Sequence, residues 1–193
     1  VPRTLVKLPA VGSHDLDCLD HALSQNVDFV AVSYVRSADD LLPAKARIEA
    51  AGVHTWIVAK IEHPAALEDL NAIVETADVV MVARGDLGVE IPLEEVPAAQ
   101  ERIVSACLER GTPVVVATQM LESMVNHARP TRAEVTDVAT AIRQHVSAVM
   151  LSGETAGGQH PVKAVETMSR IAETVERSTK GLPDPPALAA YVS

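Results

Sequence analysis

Two short apolar runs end in charge. One is Val58-Ala59-Lys60-Ile61-Glu62; the other is Val79-Val80-Met81-Val82-Ala83, which stops at Arg84-Gly85-Asp86-Leu87-Gly88. Side chains alternate along a strand, so Val58, Lys60 and Glu62 share one face. A cation and two carboxylates at the C-terminal ends of consecutive strands suit a divalent metal and an anionic substrate. A hard ion such as Mg²⁺ takes oxygen ligands at about 2.0–2.1 Å and keeps waters or substrate oxygens in its shell. Two carboxylates, Glu62 and Asp86, therefore suffice if the substrate supplies the rest. Taken singly, each has a plainer reading: a Lys60–Glu62 ion pair at a strand end, and Asp86 as a turn residue.

Those strand ends need elements to hold them. Strand-like and helix-like runs alternate along the chain, which predicts an α/β fold of parallel βα units. Strands are expected at 28–35, 56–62, 78–83, 113–120 and 147–152. Ser13 reads as the cap of a helix with Leu16, Leu19 and Leu23 on one face. Ser37 followed by Asp40 reads as a capping box for a helix stopped by Gly52, with Pro43 predicting a kink or a late start. Pro64 and Pro97 each open a helix, the first to about residue 76 and the second to Gly111. The stretch 85–88 reads as a loop, and 121–130 as a loop or short helix. Thr131 with Glu134 is a second capping box, and Pro161 opens a last helix to about residue 177. Residues 4–8 are a candidate sixth strand. The expected organisation is one α/β domain over 1–177 and a Pro- and Ala-rich tail over 178–193.

The chain has 193 residues, enough for one sizeable core, and a net charge of −10. That balance disfavours nucleic acid and acidic lipid as partners, since both need a basic surface. No apolar run approaches the roughly 20 residues of a membrane span. Cys18 and Cys107 fall in helix-like stretches, so both read as small buried hydrophobes of a reducing, cytoplasmic setting. The histidines His14, His21, His63, His127, His145 and His160 lack metal-ligand spacing and read as solvated.

Several motifs then carry a resemblance: Ala59-Lys60-Ile61-Glu62, Met81 to Gly88, Ala117-Thr118-Gln119-Met120-Leu121-Glu122-Ser123-Met124, Arg129-Pro130-Thr131-Arg132-Ala133-Glu134, and Met150-Leu151-Ser152-Gly153-Glu154-Thr155-Ala156. In this order and spacing they resemble pyruvate kinase, over about residues 8–176. The resemblance implies a partial TIM-like barrel, its last five βα units, with the site at the C-terminal ends of the strands. It implies Glu62 and Asp86 as ligands of Mg²⁺ or Mn²⁺. Lys60 would stabilise the transferring phosphoryl group and the enolate oxygen. The N–H groups of Gly85 and Asp86 would cradle the substrate carboxylate. Thr118 would stand beside the enolate methylene and serve proton delivery. Ser152 and Glu154 would lie near that proton relay, and Ser33 near the substrate. In the family, a phosphoryl-binding arginine and most nucleotide contacts come from parts this resemblance does not cover.

Three functions follow as expectations. The first is a Mg²⁺ enzyme acting on phosphoenolpyruvate, pyruvate or a related 2-oxo acid through an enolate, as a stand-alone lyase, aldolase or decarboxylase. The second is a piece of a pyruvate kinase that needs further parts. The third is a non-catalytic scaffold. Open strand edges predict a homo-oligomer or a complementing chain.

Overall fold

The computed structural model describes residues 9–179. The chain forms two compact units, Val1–Pro113 and Val114–Ser193. The candidate strand at 4–8 and the chain beyond 179 lie outside the described residues.

The first unit runs α1 (Ser13–Ser24), β1 (Phe29–Val32), α2 (Leu42–Ala51), β2 (Trp56–Ile61), α3 (Pro64–Glu68), α4 (Leu70–Thr76), β3 (Val79–Ala83), α5 (Arg84–Glu90) and α6 (Val96–Arg110). Its strands are parallel, β1 beside β2 and β2 beside β3, with Ala31 opposite Val58 and Lys60 opposite Met81. The core is aliphatic. Ile57, Ala59 and Ile61 of β2, Val80 and Val82 of β3, and Ile73, Ile103 and Cys107 of the helices are buried. Each full burial of such a Val or Ile is worth about 1.5–3 kcal/mol.

The second unit runs β4 (Val114–Ala117), α7 (Arg132–Arg143), β5 (Ala148–Met150), α8 (Gly153–Ala156) and α9 (Pro161–Thr179). β4 and β5 are parallel, with Ala117 opposite Met150. In each unit parallel strands alternate with helices, which confirms the α/β class of βα units.

Several boundaries differ from the sequence expectation, each for a physical reason. β1 and β4 stop short because left-handed residues follow them: Tyr34 (φ 53°) after β1, Thr118 (φ 68°) and Gln119 (φ 53°) after β4. A strand cannot continue through such a backbone. The expected loop at 85–88 is helical, within α5. A Cβ at Gly88 would make only ordinary contact there, 3.4 Å from Leu93 and 3.5 Å from Val96. The helix expected from Pro64 breaks at Asp69, whose carboxylate accepts the Ala38 N–H at 2.8 Å. Ser13 is the first residue of α1 rather than its cap; Gly12 stands in the cap position and donates its N–H to Asp15 at 2.7 Å.

The Ser37 hydroxyl makes no cap bond, and Asp40 turns to the Arg36 N–H and guanidinium instead. A 3-10 turn (Ala38–Leu41) precedes α2, which starts late with Pro43 in its first turn and ends on Gly52 at φ 65°. The Thr131–Glu134 capping box forms as read. α9 reaches Thr179, two residues into the expected tail. Cys107 is buried, but Cys18 is exposed, contrary to its reading as a buried hydrophobe. His63 is half-buried, and its Nδ1 caps α3 by accepting the Ala65 N–H at 3.1 Å.

Candidate active site

In the first unit the ends of β1 and β2 close a ring of hydrogen bonds. Parallel pairing sets Ala31 opposite Val58, so the next residues on that face, Ser33 and Lys60, are neighbours. The Lys60 ammonium donates to the Ser33 hydroxyl at 2.9 Å and pairs with Glu62 Oε1 at 2.6 Å. Glu62 Oε2 accepts the Tyr34 N–H at 2.6 Å. The Glu62 side chain is only 1% exposed, whereas that of Lys60 is 25% exposed. The carboxylate is thus held from two sides at the floor, with the cation toward solvent. An ionised carboxylate has about four lone-pair sites, so two bonds leave it able to ligate further.

Asp86 sits one strand on, in the first turn of α5 directly after β3, and is half-buried. Gly85 precedes it in the same turn. The Tyr34 phenol is the group on which these charges converge. Burial raises its pKa above the ordinary tyrosine value; the charges of Asp86, Glu62 and Glu90 raise it further, and Lys60 opposes them. Carboxylates from β2 and α5 therefore act on one small region.

Among the described residues no group of three or more His, Cys, Asp or Glu could hold a metal by itself. Glu62 and Asp86 fit a Mg²⁺ or Mn²⁺ ion only if substrate and water oxygens complete the shell, as hard ions commonly arrange. The donor set is all oxygen, which suits these ions and disfavours thiophilic ones.

The second unit holds the other candidate residues. Thr118 is half-buried, and its hydroxyl donates to the Ala117 carbonyl at 2.6 Å. Glu154 is fully buried. Its Oε1 accepts the Leu121 N–H at 3.0 Å and its Oε2 the Ser152 N–H at 2.8 Å. Ser152 is half-buried at the start of α8.

The structure thus joins Ser33, Lys60 and Glu62 directly, places Asp86 at the next strand end, and joins Ser152 to Glu154. Sequence reasoning missed the Tyr34 and Leu121 N–H groups that orient the two buried carboxylates. Backbone donors carry no signature in residue type, and positive φ at a tyrosine or a threonine has none either.

By class the chain is a parallel α/β protein with a lysine and two carboxylates at consecutive strand ends. The comparisons narrow the class. The family model described as pyruvate kinase, barrel domain, matches residues 1–165. The chain belongs to this family. It is 48% identical over 183 residues to a pyruvate kinase of Mycobacterium tuberculosis, covering 95% of this chain and 39% of that protein. It is 51% identical over 177 residues to one of Methylorubrum extorquens, covering 92% of this chain and 36% of that protein. For a pyruvate kinase of Geobacillus stearothermophilus the identity is 49% over 179 residues, 92% of this chain and 30% of that protein. The chain therefore spans between a third and two fifths of the length of most such curated relatives.

Proposed function

We propose that this chain is the enolate-handling part of a pyruvate kinase barrel, acting on phosphoenolpyruvate and pyruvate with Mg²⁺ or Mn²⁺. One observation carries the reading: the ring Ser33–Lys60–Glu62–Tyr34 N–H at two strand ends, with Asp86 at the third. Glu62 and Asp86 would hold the metal, which when bound supplies Lewis acidity toward the keto oxygen of a chelated 2-oxo acid. Lys60 presents its ammonium where negative charge grows on the enolate oxygen. Glu62 holds that ammonium in place, and Ser33 fixes it from the other side. The family resemblance further assigns the substrate carboxylate to Gly85 and Asp86, and methylene protonation to Thr118 with Ser152 near it.

Phosphoryl transfer to ADP belongs to the complete kinase and depends on residues outside the matched motifs. A cytoplasmic setting and assembly with further chain or copies go with that reading. The relatives are named as pyruvate kinases, and none of them favours the stand-alone lyase, aldolase or decarboxylase expected from the sequence; the kinase part takes its place. Among the described residues no helix is long and apolar enough to cross a membrane.

Calorimetry with Mn²⁺ in the presence of pyruvate tests the ligand assignment. Outer-shell changes alone cost metal sites 10–100-fold, so Glu62→Gln and Asp86→Asn should each weaken binding at least about tenfold. Unchanged affinity in both variants would overturn the assignment.

A further inference from the structure

We propose that Glu154 is a positioning residue. Its carboxylate holds the segment after β4 so that Thr118 and Gln119 keep the left-handed backbone that fixes the Thr118 hydroxyl. The functional half of this inference rests on the reading of Thr118 given above.

β4 ends at Ala117, and two consecutive left-handed residues follow, Thr118 at φ 68° and Gln119 at φ 53°. Neither is glycine, and Thr118 is β-branched, a class for which positive φ is a true outlier. Such a pair persists only where its surroundings over-determine it. Immediately downstream, Met120, Leu121 and Met124 are fully buried. Burial of those side chains sets how deep the segment lies. It does not set the tilt of the peptide planes, because hydrophobic contact is non-directional.

Glu154 supplies direction at Leu121. Its two oxygens each take one backbone donor, Leu121 N–H at 3.0 Å and Ser152 N–H at 2.8 Å. One donor lies three residues past Thr118 and the other at the end of the chain following β5. The carboxylate is therefore a bracket between two strand ends, and charge-assisted bonds of this kind are strong and directional. Glu154 is 0% exposed with both oxygens so engaged. This geometry favours a role through Thr118 over direct contact with substrate. Glutamine could not replace it, since an amide offers one oxygen and would turn its NH₂ toward the second N–H.

The test uses the full chain, isotope-labelled, as the natural protein, Glu154→Gln and Glu154→Asp. NMR reads the amide-to-Hα couplings and backbone shifts of Thr118 and Gln119, and amide exchange at Leu121 and Ser152, with the amides of α7 as internal reference. Glu154→Gln should raise exchange at Leu121 or Ser152 at least about tenfold, as expected for a buried donor left unpaired. It should also erase the left-handed signature of Thr118 and Gln119 while α7 keeps its rates. Glu154→Asp, with the charge on a shorter arm, should fall between. Unchanged couplings and rates in both variants would overturn the proposal, and so would an equal rise across α7. If circular dichroism shows Glu154→Gln unfolded, Glu154→Asp carries the same comparison. Thr118→Val separates the two readings. If it leaves deuterium exchange into pyruvate unchanged, the role of Thr118 fails, while the anchoring by Glu154 still stands or falls on the couplings and amide rates.

Discussion

Tyr34 donates its backbone N–H to Glu62 Oε2 at 2.6 Å, from a left-handed conformation at φ 53°. The bond crosses from the end of β1 to the end of β2 and fixes the carboxylate that also receives Lys60. A tyrosine in this conformation costs about 1–2 kcal/mol relative to an ordinary backbone, so the site stores strain that the surrounding sheet offsets. The candidate site is therefore built as much from backbone as from side chains.

The Lys60–Glu62 pair should matter to stability. Breaking a fully buried pair costs about 3–5 kcal/mol. Lys60 is a quarter exposed, and Glu62 keeps its Tyr34 N–H, so Lys60→Met should cost less, about 2 kcal/mol. Urea unfolding at pH 7 measures it. A midpoint equal to that of the natural chain would mean that solvent already serves Glu62.

Glu134 gives a pH signature. Burial alone would raise its pKa, but bonds from the Ser123 hydroxyl and N–H and from the Thr131 N–H and hydroxyl outweigh it and hold the carboxyl below its usual range. A group whose folded pKa is lowered adds stability above its unfolded pKa, near 4.3 for a free Glu, and loses it as pH falls through the folded value. Asp40, held low by Arg36 against the same effect of burial, acts in the same direction. Glu134→Gln should therefore flatten the fall in stability below about pH 4.3 and lose about 1 kcal/mol at pH 7 through the broken cap. Denaturant melts from pH 3 to 7, on the order of one per half unit, check the slope.

The two thiols should separate cleanly. Burial pushes Cys107 up to about 12, with Arg110 opposing it, and its side chain is fully enclosed. Cys18 is exposed on α1, with its sulfur 3.8 Å from His14 Nε2. Thiolate is the reactive form, so an aromatic disulfide reagent at pH 8 should label Cys18 alone in the native chain and both thiols in denaturant. Native labelling of Cys107 would show that α6 opens.

Adjacent glycines offer a paired test near Glu154. A Cβ at Gly158 would overlap the Glu154 carbonyl, while one at Gly157 would meet nothing within 4 Å. Gly158→Ala should destabilise by about 1–3 kcal/mol, the usual cost of overpacking, and Gly157→Ala should be close to neutral. Equal effects in thermal melts would contradict this packing at α8.

Much of the fold was legible because its signals are side-chain signals. The five apolar runs, Gly52 and Gly111 as helix stops, and the Thr131–Glu134 box all speak through residue type; the stops and the box formed where read, and each run holds a strand within its expected span. So did the neighbourhood of Lys60 and Glu62, because strand alternation is geometric. What escaped was backbone behaviour at the strand ends. Tyr34, Thr118 and Gln119 carry β-favouring or neutral side chains yet adopt positive φ, which shortened β1 and β4. Gly85 to Gly88 read as a loop because glycine usually breaks helices, yet the stretch is helical within α5, where Leu87 is fully buried. Glu154 read as lying near the proton relay, and nothing in its type reveals the two backbone donors aimed at it.

We propose Lys60, Glu62 and Asp86 as a metal-assisted enolate site. Deuterium uptake into the methyl group of pyruvate in D₂O, followed by NMR with and without Mg²⁺, tests it most directly. The natural chain should exchange only with Mg²⁺. Glu62→Gln and Lys60→Met should each slow exchange by on the order of 10²-fold, the typical effect of removing one preorganised electrostatic group. Exchange that proceeds equally in those variants, or without Mg²⁺, would rule out an enolate site built on Lys60, Glu62 and Asp86.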